Sequence, residues 1–427
     1  MMRFLILFVF FLASINSLQA QNVKDRLRYP EMVSAFYSGI NKRNFWTGDT
    51  SSARLRQEFL QVLDSADNWA LSALDYHYTE LQKLAEVCRE ETDSNAVNRC
   101  EQLFTDAAIS FFKDIYKGND NKAGYDEISL KYSETSDRMI LNNLVAVGGR
   151  KNILEVVNSL EPTNPEYSIF KCAYQQEASI HSDYKKLQLK RTLNYMRWIN
   201  HFRFPNYIVV NIPAAELRYY RYDTIALRMK AIVGKPSTPT PRFSAYCNKV
   251  ILYPYWNVPA SIAKKELLPL FKKDPSQVDA MNMQIVNSRG NVVSASSLNW
   301  SSFSRYYFPY NLRQSTGCDN ALGVMKFNLT DPFNVYMHDT NNKSTFNSPK
   351  RFYSHGCIRI EKPLELANYI LPKPVDSSFL QACLKNQKPI ELNLVQVVPV
   401  FVIYSTAGID ANGRVIYYDD IYGLLKR

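Results

Sequence analysis

The sequence predicts an α+β fold, in which an N-terminal α-helical scaffold is followed by a mostly antiparallel β domain with a helical insertion. Three observations support this prediction. Apolar residues recur at helical spacing as far as Phe204, strand-like runs replace them from Pro205 onward, and helical spacing returns over residues 261–279. With 427 residues, of which 46% are hydrophobic and 21% charged, the chain has the size and composition of a folded protein of two or three domains.

The N-terminal residues have the pattern of an export signal. Arg3 precedes an apolar run from Phe4 to Ala13, and a more polar stretch then leads to a small residue, Ala20. The run is much shorter than the roughly 20 apolar residues that span a bilayer. An uncleaved anchor or a buried N-terminal helix is the alternative interpretation. We therefore expect residues 1–20 to be a signal peptide, the protein to be exported, and the mature chain to have no transmembrane span.

Residues 21–204 are expected to form the helical scaffold. Leu55, Phe59 and Leu63 recur at intervals of four, and a second apolar stripe of the same spacing covers residues 103–115. The histidines of this region stand alone in the sequence, and no catalytic pattern surrounds them. We therefore expect a structural role for this half of the chain.

The β domain is expected at residues 205–375, with its insertion at about 259–300. Residues 376–427 are expected to form a C-terminal β segment that packs on the catalytic and scaffold domains, with Val397–Tyr404 and Gly413–Tyr418 as a hairpin. These strands are predicted from runs rich in β-branched and aromatic residues that end at Gly or Pro. The other strands predicted in this way are Tyr207–Ile212, Glu216–Tyr220, Met229–Val233, Val324–Asn328 and Val335–Met337.

The formal net charge is +11, and the basic residues are spread along the chain rather than collected in one block. A basic surface can meet nucleic acid, anionic lipid or an acidic polymer, and it can also be a solvated face without a partner. Because export removes nucleic acid as the default partner, we expect no nucleic-acid binding. A carboxylate-rich polymer outside the cell is compatible with the charge.

The chain has seven cysteines, and one of them differs from the rest in its surroundings. Cys88 and Cys100 are close enough in sequence to close a small disulfide loop in an exported protein. Cys357 lies in the string Tyr353-Ser354-His355-Gly356-Cys357-Ile358-Arg359, downstream of His338. The remaining cysteines, which sit singly in separate segments, are interpreted as small buried hydrophobic residues: Cys172, Cys247, Cys318 and Cys383.

The residue types around Cys357 are those that a thiol nucleophile needs. A neighbouring imidazole, from His338 or His355, removes the thiol proton and favours the thiolate. Gly356 lets a substrate carbonyl approach the backbone, where N–H groups can hold a developing oxyanion. Arg359 can pair with a substrate carboxylate through two hydrogen bonds. A packing role for the thiol remains open, whereas a structural zinc site is disfavoured because the sequence has no CxxC or HxxxH pair.

The segments His338-Asp339-Thr340 and Ser354-His355-Gly356-Cys357-Ile358-Arg359 resemble the signature of the L,D-transpeptidases with a YkuD-type catalytic domain. The likeness is greatest to the large subgroup, which has a helical scaffold, a capping segment and Arg two residues after the Cys. It extends over nearly the whole mature chain, and the helical half matches more loosely. Further matching segments are Val210–Ala214, Gly234–Pro236, Pro254–Pro259, Asn320–Gly323, Lys326–Phe327, Lys362–Ala367 and Asp420–Tyr422.

The resemblance implies thioester chemistry on peptidoglycan tetrapeptide stems, which act as donor and acceptor, without metal or organic cofactor. Cys357 would attack the carbonyl of the third stem residue, D-alanine would leave, and an amine of a second stem would resolve the acyl-enzyme into a 3-3 cross-link. His338 would be the base, oriented by a backbone carbonyl near Asp339. This chemistry belongs to the periplasm and the cell wall.

The resemblance also implies roles for the other site residues. His355, Gly356 and Ser354 would shape the loop and the oxyanion site, with His355 as the second choice for the base. Tyr336 and Arg359 would contact substrate.

The chain departs from the subgroup's pattern in two places. Between Ser168 and Phe204 there is no room for the small peptidoglycan-binding module that members often carry. Ser315, Thr316 and Cys318 replace the prolines that are usual around Gly317. Three alternatives stay open: hydrolysis of the same thioester by an L,D-carboxypeptidase, attachment of a wall-anchored protein, and a wall-binding scaffold protein with an inactive site.

Overall fold

The computed structural model describes residues 27–40, 44–88, 94–119, 124–149, 151–180 and 183–425. The segment expected to be a signal peptide, residues 1–20, lies outside these ranges. Within them, no helix is both long and apolar enough to cross a membrane.

The N-terminal half is helical, as the apolar spacing predicts. Asp49, Asp126 and Asn152 each cap a helix, because their side chains accept a hydrogen bond from the backbone N–H three residues further on. The helices between Pro30 and Leu160 pack around one apolar core, in which Phe59 and Phe104 are fully buried. The elements are α1 (Pro30–Gly39), α2 (Thr50–Asp64), α3 (Tyr78–Val87), α4 (Ser94–Lys117), β1 (Tyr125–Asp126), α5 (Glu127–Val147), α6 (Ile153–Leu160), α7 (Pro165–Ile180) and α8 (Asp183–Asn200).

A buried carboxylate on α4 organises the segment between α1 and α2. Glu101, only 4% exposed, accepts hydrogen bonds from the backbone N–H groups of Phe45, Trp46 and Thr47, at 2.7–3.1 Å. The Tyr37 hydroxyl donates to the same carboxylate at 2.6 Å. A charge this deeply buried is tolerated because its lone pairs are occupied by donors. The contact therefore holds the start of α2 against the centre of the scaffold.

The scaffold and the β domain share an apolar interface. Trp198 of α8 and Phe202, which follows this helix, pack against Phe401 of the β domain, and the ring centroids of Trp198 and Phe401 are 5.1 Å apart. An ion pair of 2.8 Å between Glu166 of α7 and Arg218 adds a polar link between the two domains. Helices α7 and α8 therefore brace one face of the β domain.

The second half is β-rich, and its helices are short. They are α9 (Leu268–Lys273), α10 (Gln277–Ala280), α11 (Pro363–Ile370) and α12 (Ser377–Gln381). The strands are β2 (Asn206–Asn211), β3 (Glu216–Arg221), β4 (Thr224–Gly234), β5 (Phe243–Leu252), β6 (Trp256–Asn257), β7 (Met283–Val286), β8 (Val292–Val293), β9 (Asn311–Gln314), β10 (Met325–Leu329), β11 (Met337–His338), β12 (Phe352–Ser354), β13 (Ile358–Ile360), β14 (Ile390–Ile403), β15 (Ala407–Ile409) and β16 (Val415–Tyr417).

The main sheet runs in the order β1-β5-β10-β11-β13-β4-β3-β2-β14, with β12 added beside β4. Most of its pairings are antiparallel, and β11–β13 and β14–β2 are among the parallel ones. Strand β14 also pairs antiparallel with β5, so the sheet closes on itself. The resulting architecture is α+β, with a β-rich domain after a helical region, as the sequence predicts.

The C-terminal segment contributes the strand that closes the main sheet. Because β14 is paired on one side with β2 and on the other with β5, it has no free edge for a hairpin partner over Val400–Val402. The hairpin predicted between Val397–Tyr404 and Gly413–Tyr418 is therefore wrong. Strand β16 pairs instead with β15, which precedes it directly.

The insertion between β5 and β10 has an apolar core of its own, with Phe271 and Trp300 among its buried residues. Its helical part, Ala260–Ile262, Ala263–Leu267, α9 and α10, agrees with the predicted helical pattern. The insertion also contains a small sheet, in the order β6-β9-β7-β8, which the sequence did not predict. These strands are only two to four residues long, too short to show a period in the sequence.

Two disulfides link parts of the chain. Cys88 and Cys100 are bonded, as their spacing allows. Cys318 and Cys383 are also bonded, so the interpretation of these two as separate buried hydrophobic residues is wrong. Cys172 is exposed, which contradicts the same interpretation for that residue, whereas Cys247 is buried as expected.

Candidate active site

Three neighbouring strands carry most of the predicted site residues. His338 on β11 lies directly beside Arg359 on the parallel strand β13, and opposite Lys326 on β10. The Ile358 N–H donates to the Tyr336 carbonyl at 3.1 Å, which aligns the start of β13, and hence Cys357 before it, with the start of β11. Side chains alternate along a strand.

Because side chains alternate along a strand, the polar side chains of Lys326, His338 and Arg359 share one face of the sheet. Met325, Met337 and Ile358 are fully buried in the core beneath it. Their neighbours along the strands therefore lie on the opposite face: Lys326, His338, Cys357 and Arg359.

The imidazole of His338 is held in one orientation. Its Nδ1 is 2.5 Å from the backbone carbonyl oxygen of Asp339. Since a carbonyl can only accept, Nδ1 carries the proton and Nε2 is left with a free lone pair. His338 is only 4% exposed, and this burial, reinforced by the positive charges of Arg359 and Lys326, lowers its pKa to about 3. The ring is therefore neutral at physiological pH.

The thiol of Cys357 is also perturbed by burial, which raises its pKa above the ordinary value. Hydrogen bonds from the backbone and the hydroxyl of Tyr336, together with the charge of Lys326, oppose this effect. The thiol is therefore protonated at neutral pH in the free protein. Reaction then requires a base that removes the proton as substrate arrives.

Ser354 and Gly356 shape the loop that precedes Cys357. The Ser354 hydroxyl donates to the Cys357 carbonyl at 2.6 Å and accepts from the Gly356 N–H at 3.1 Å. Gly356 has φ +117°, a conformation that residues with a Cβ rarely adopt. The Ser354 hydroxyl and the positive φ of Gly356 together fix the shape of this loop.

A turn after β4 cradles the same loop. The Lys235 N–H and the Thr238 hydroxyl both donate to the Ser354 carbonyl at 3.1 Å. The Thr240 hydroxyl donates to the Gly356 carbonyl at 2.9 Å and accepts from the Gly234 N–H at 2.8 Å. The position of the cysteine loop therefore depends on the turn of residues 234–240.

Replacement of Gly234 by alanine is expected to displace this turn. A Cβ at that position would lie 2.2 Å from the Thr238 carbonyl oxygen and 2.6 Å from the Thr240 nitrogen, both of them backbone atoms. We expect a loss of about 1–3 kcal/mol in the free energy of unfolding, typical of overpacking, and a lower rate of Cys357 acylation. Thermal unfolding and intact-mass acylation rates measure both. Gly39→Ala, with no atom within 4 Å of its Cβ, is the matched control. A Gly234→Ala protein as stable and active as the Gly39→Ala protein would contradict the expectation.

His355 lies at the surface, whereas the other predicted site residues are buried or half-buried. Its side chain is exposed, and Nε2 is 3.0 Å from a carboxylate oxygen of Glu266 in the insertion. Tyr336 hydrogen-bonds to Cys357 through its hydroxyl, which also contacts Trp256 of the insertion. The insertion therefore touches the site at two points.

Lys326 belongs to the same face and was given no role in the sequence analysis. Its Nζ lies 4.1 Å from the centroid of the Tyr336 ring. Burial lowers its pKa, while the nearby Cys357 opposes that shift. A lysine in the otherwise apolar or neutral run of β10 was the sequence signal that could have identified it. Across the residues that the structure describes, no group of three or more His, Cys, Asp or Glu side chains could hold a metal ion.

Two family models match the chain. Residues 205–376 match the model described as the L,D-transpeptidase catalytic domain, and residues 31–173 match the scaffold domain. The β-rich half of this chain is an L,D-transpeptidase catalytic domain. The scaffold domain precedes it, so both halves of the resemblance found in the sequence are confirmed.

Several known proteins are similar to part of this chain. A Haemophilus influenzae protein named "Putative L,D-transpeptidase" is 38% identical over 221 residues, which are 52% of this chain and 45% of that protein. The chain therefore matches less than half the length of this relative. An L,D-transpeptidase from Mycobacterium smegmatis is 15% identical, with 47% of this chain and 58% of the other covered and a TM-score of 0.21. L,D-transpeptidase 3 from Mycobacterium tuberculosis is 12% identical, with 47% and 61% covered and a TM-score of 0.23.

Proposed function

We propose that this protein is an exported peptidoglycan L,D-transpeptidase, which forms 3-3 cross-links through a thioester on Cys357 and releases D-alanine. The observation that carries the proposal is the pairing of β11 with β13. It aligns the Tyr336–His338 segment with the Cys357–Arg359 segment on adjacent strands, and Nδ1 of the neutral His338 imidazole is fixed on the Asp339 carbonyl.

Acylation begins with the donor stem in the cleft. Nε2 of His338 takes the thiol proton as Cys357 Sγ attacks the carbonyl of the third stem residue, forming the S–C bond. The backbone N–H of Cys357 makes no hydrogen bond within the part of the chain that the structure describes, which suits it to hold the oxyanion. The C–N bond to the fourth residue then breaks, the imidazolium returns its proton to the leaving nitrogen, and D-alanine departs.

The second step resolves the thioester. An amine of the acceptor stem attacks the acyl carbon, His338 takes a proton from that amine, and the C–S bond breaks. The proton returns to sulfur, which regenerates the thiol. Water in place of the amine would give a tripeptide, and the insertion, which touches both His355 and Tyr336, is suited to control which nucleophile enters.

Export is part of the proposal. Residues 1–20 have the pattern of a signal peptide. The two disulfides, Cys88–Cys100 and Cys318–Cys383, are bonds that form and persist in oxidising compartments such as the periplasm.

Product analysis tests the proposed reaction. The purified protein is incubated with disaccharide-tetrapeptide, and released products are followed by mass spectrometry. We expect loss of D-alanine together with a dimeric muropeptide. Tripeptide without dimer would instead show an L,D-carboxypeptidase. The absence of any product, with native wall fragments as well as with the purified muropeptide, would contradict both enzymatic functions.

A further inference from the structure

Two basic side chains flank the catalytic imidazole. Lys326, His338 and Arg359 are direct neighbours across β10, β11 and β13. Adjacent strands lie about 4.8 Å apart, so Lys326 and Arg359 start roughly 10 Å apart with His338 between them. Nζ of Lys326 lies over the Tyr336 ring, 4.1 Å from its centroid, and the Tyr336 hydroxyl hydrogen-bonds to Cys357, so this cation is close to the reacting sulfur.

Neither cation is neutralised by an acid in the part of the chain that the structure describes. Nε of Arg359 is buried and has no hydrogen-bond partner there. The charges that reach Lys326 are those of Cys357 and, more weakly, Glu391, and Glu391 is 2.6 Å from Lys249 in an ion pair of its own. Burial of a charge without a partner is unfavourable, so such a pair of cations is typical of a site that an anionic ligand completes.

The distance from Cys357 indicates which group of the substrate arrives there. Arg359 is two residues beyond Cys357 on the same face, which corresponds to about 6.6 Å along the strand. In the donor, the Cα of the leaving residue follows that of the acylated residue at about 3.8 Å, and its carboxylate is one bond further on. That carboxylate is therefore the charged group nearest to the reacting carbonyl.

We propose that Lys326 and Arg359 bind the terminal carboxylate of the leaving residue of the donor stem, an inference that rests on the proposed function. This contact selects donors that end one residue beyond the acylated residue. A carboxylate between the two cations also opposes their effect on His338, whose imidazole must become positively charged as it takes the thiol proton. Donor binding and activation of the base are coupled in this way.

The experiment compares two synthetic donors that differ in one group. One is a tetrapeptide with a free terminal carboxylate, and the other is the same peptide with a terminal carboxamide. The kcat/KM for acylation of Cys357 is measured by intact mass. For the wild-type protein we expect the amide to react roughly 10- to 100-fold more slowly, as for the loss of a charge-assisted hydrogen bond. In Lys326→Met the acid is slowed and the acid-to-amide ratio falls to a few-fold, while Lys326→Arg retains most of the ratio.

Lys230→Met is the matched control, because Lys230 is largely exposed on β4 and already faces Glu361 at 3.7 Å. Its acid-to-amide ratio is expected to equal that of the wild type. Equal reaction of acid and amide with the wild type, or an unchanged ratio in Lys326→Met, would overturn the inference alone. The inference would also be overturned if the acylation rate depended instead on amidation of the third residue's side chain. Failure of both donors to acylate the wild type would overturn the proposed function, and this inference with it.

Discussion

The Cys357→Ala protein is expected to form no acyl-enzyme and to release no D-alanine, a loss of at least about 10⁴-fold in activity. The reason is that every step of the proposed reaction passes through the Sγ–C bond, for which alanine has no substitute. Because the side chain of Cys357 is only partly buried, removal of one sulfur is expected to leave thermal unfolding close to that of the wild type. Intact-mass spectra after incubation with disaccharide-tetrapeptide measure the adduct directly.

The matched control is Cys172→Ala, which removes an exposed free thiol from the scaffold. This variant is expected to keep full activity and to acquire the adduct at the wild-type rate. Cys247, whose pKa is raised by burial to about 12, is not expected to react in either protein. An adduct on Cys357→Ala, or its loss from Cys172→Ala, would show that the nucleophile has been assigned to the wrong residue.

Replacement of His338 by glutamine is expected to lower the acylation rate at pH 7 by about 10²- to 10⁴-fold, the usual contribution of a general base. Burial lowers the pKa of His338 to about 3, so the wild-type base is neutral at all pH values well above 3. Its kcat/KM is therefore expected to stay flat between about pH 5 and pH 8. In His338→Gln the reaction depends on spontaneous ionisation of a thiol whose pKa is raised by burial. The rate should then climb about tenfold per pH unit until the thiol is ionised.

His355→Gln provides the comparison, since it changes an exposed imidazole that contacts Glu266 rather than the thiol. We expect a flat pH profile and a rate within a few-fold of the wild type for this variant. The opposite pattern, with a steep pH dependence in His355→Gln and a flat one in His338→Gln, would identify His355 as the base. An inflection near pH 6.5 in the wild-type profile would argue against a neutral, buried His338.

Much of the fold could be predicted from the sequence, because the strongest signals are local. The apolar repeat that includes Leu55 and Phe59 identified a helix that the structure places at Thr50–Asp64. The β-rich run at Tyr207–Ile212 likewise lies within one residue of β2. Elements whose pairing depends on residues far away in the sequence were harder to predict. The hairpin at the C-terminus was predicted with the wrong strand, since nothing local reveals that β14 is enclosed by β2 and β5.

The residues that can do chemistry are recognisable in the sequence: a thiol after a glycine, with a histidine, a serine and an arginine in one short motif, and a second histidine, His338, upstream. Their arrangement depends on the tertiary structure. Strands β11 and β13 are two and three residues long, too short for any periodic signal, and their register is set by pairing with β10 and β4 from elsewhere in the chain. That pairing puts His338 among the residues around Cys357, leaves His355 at the surface beside Glu266, and brings Lys326 to the site. The disulfide between Cys318 and Cys383 has the same cause, since their contact depends on how the chain packs and not on their separation along it.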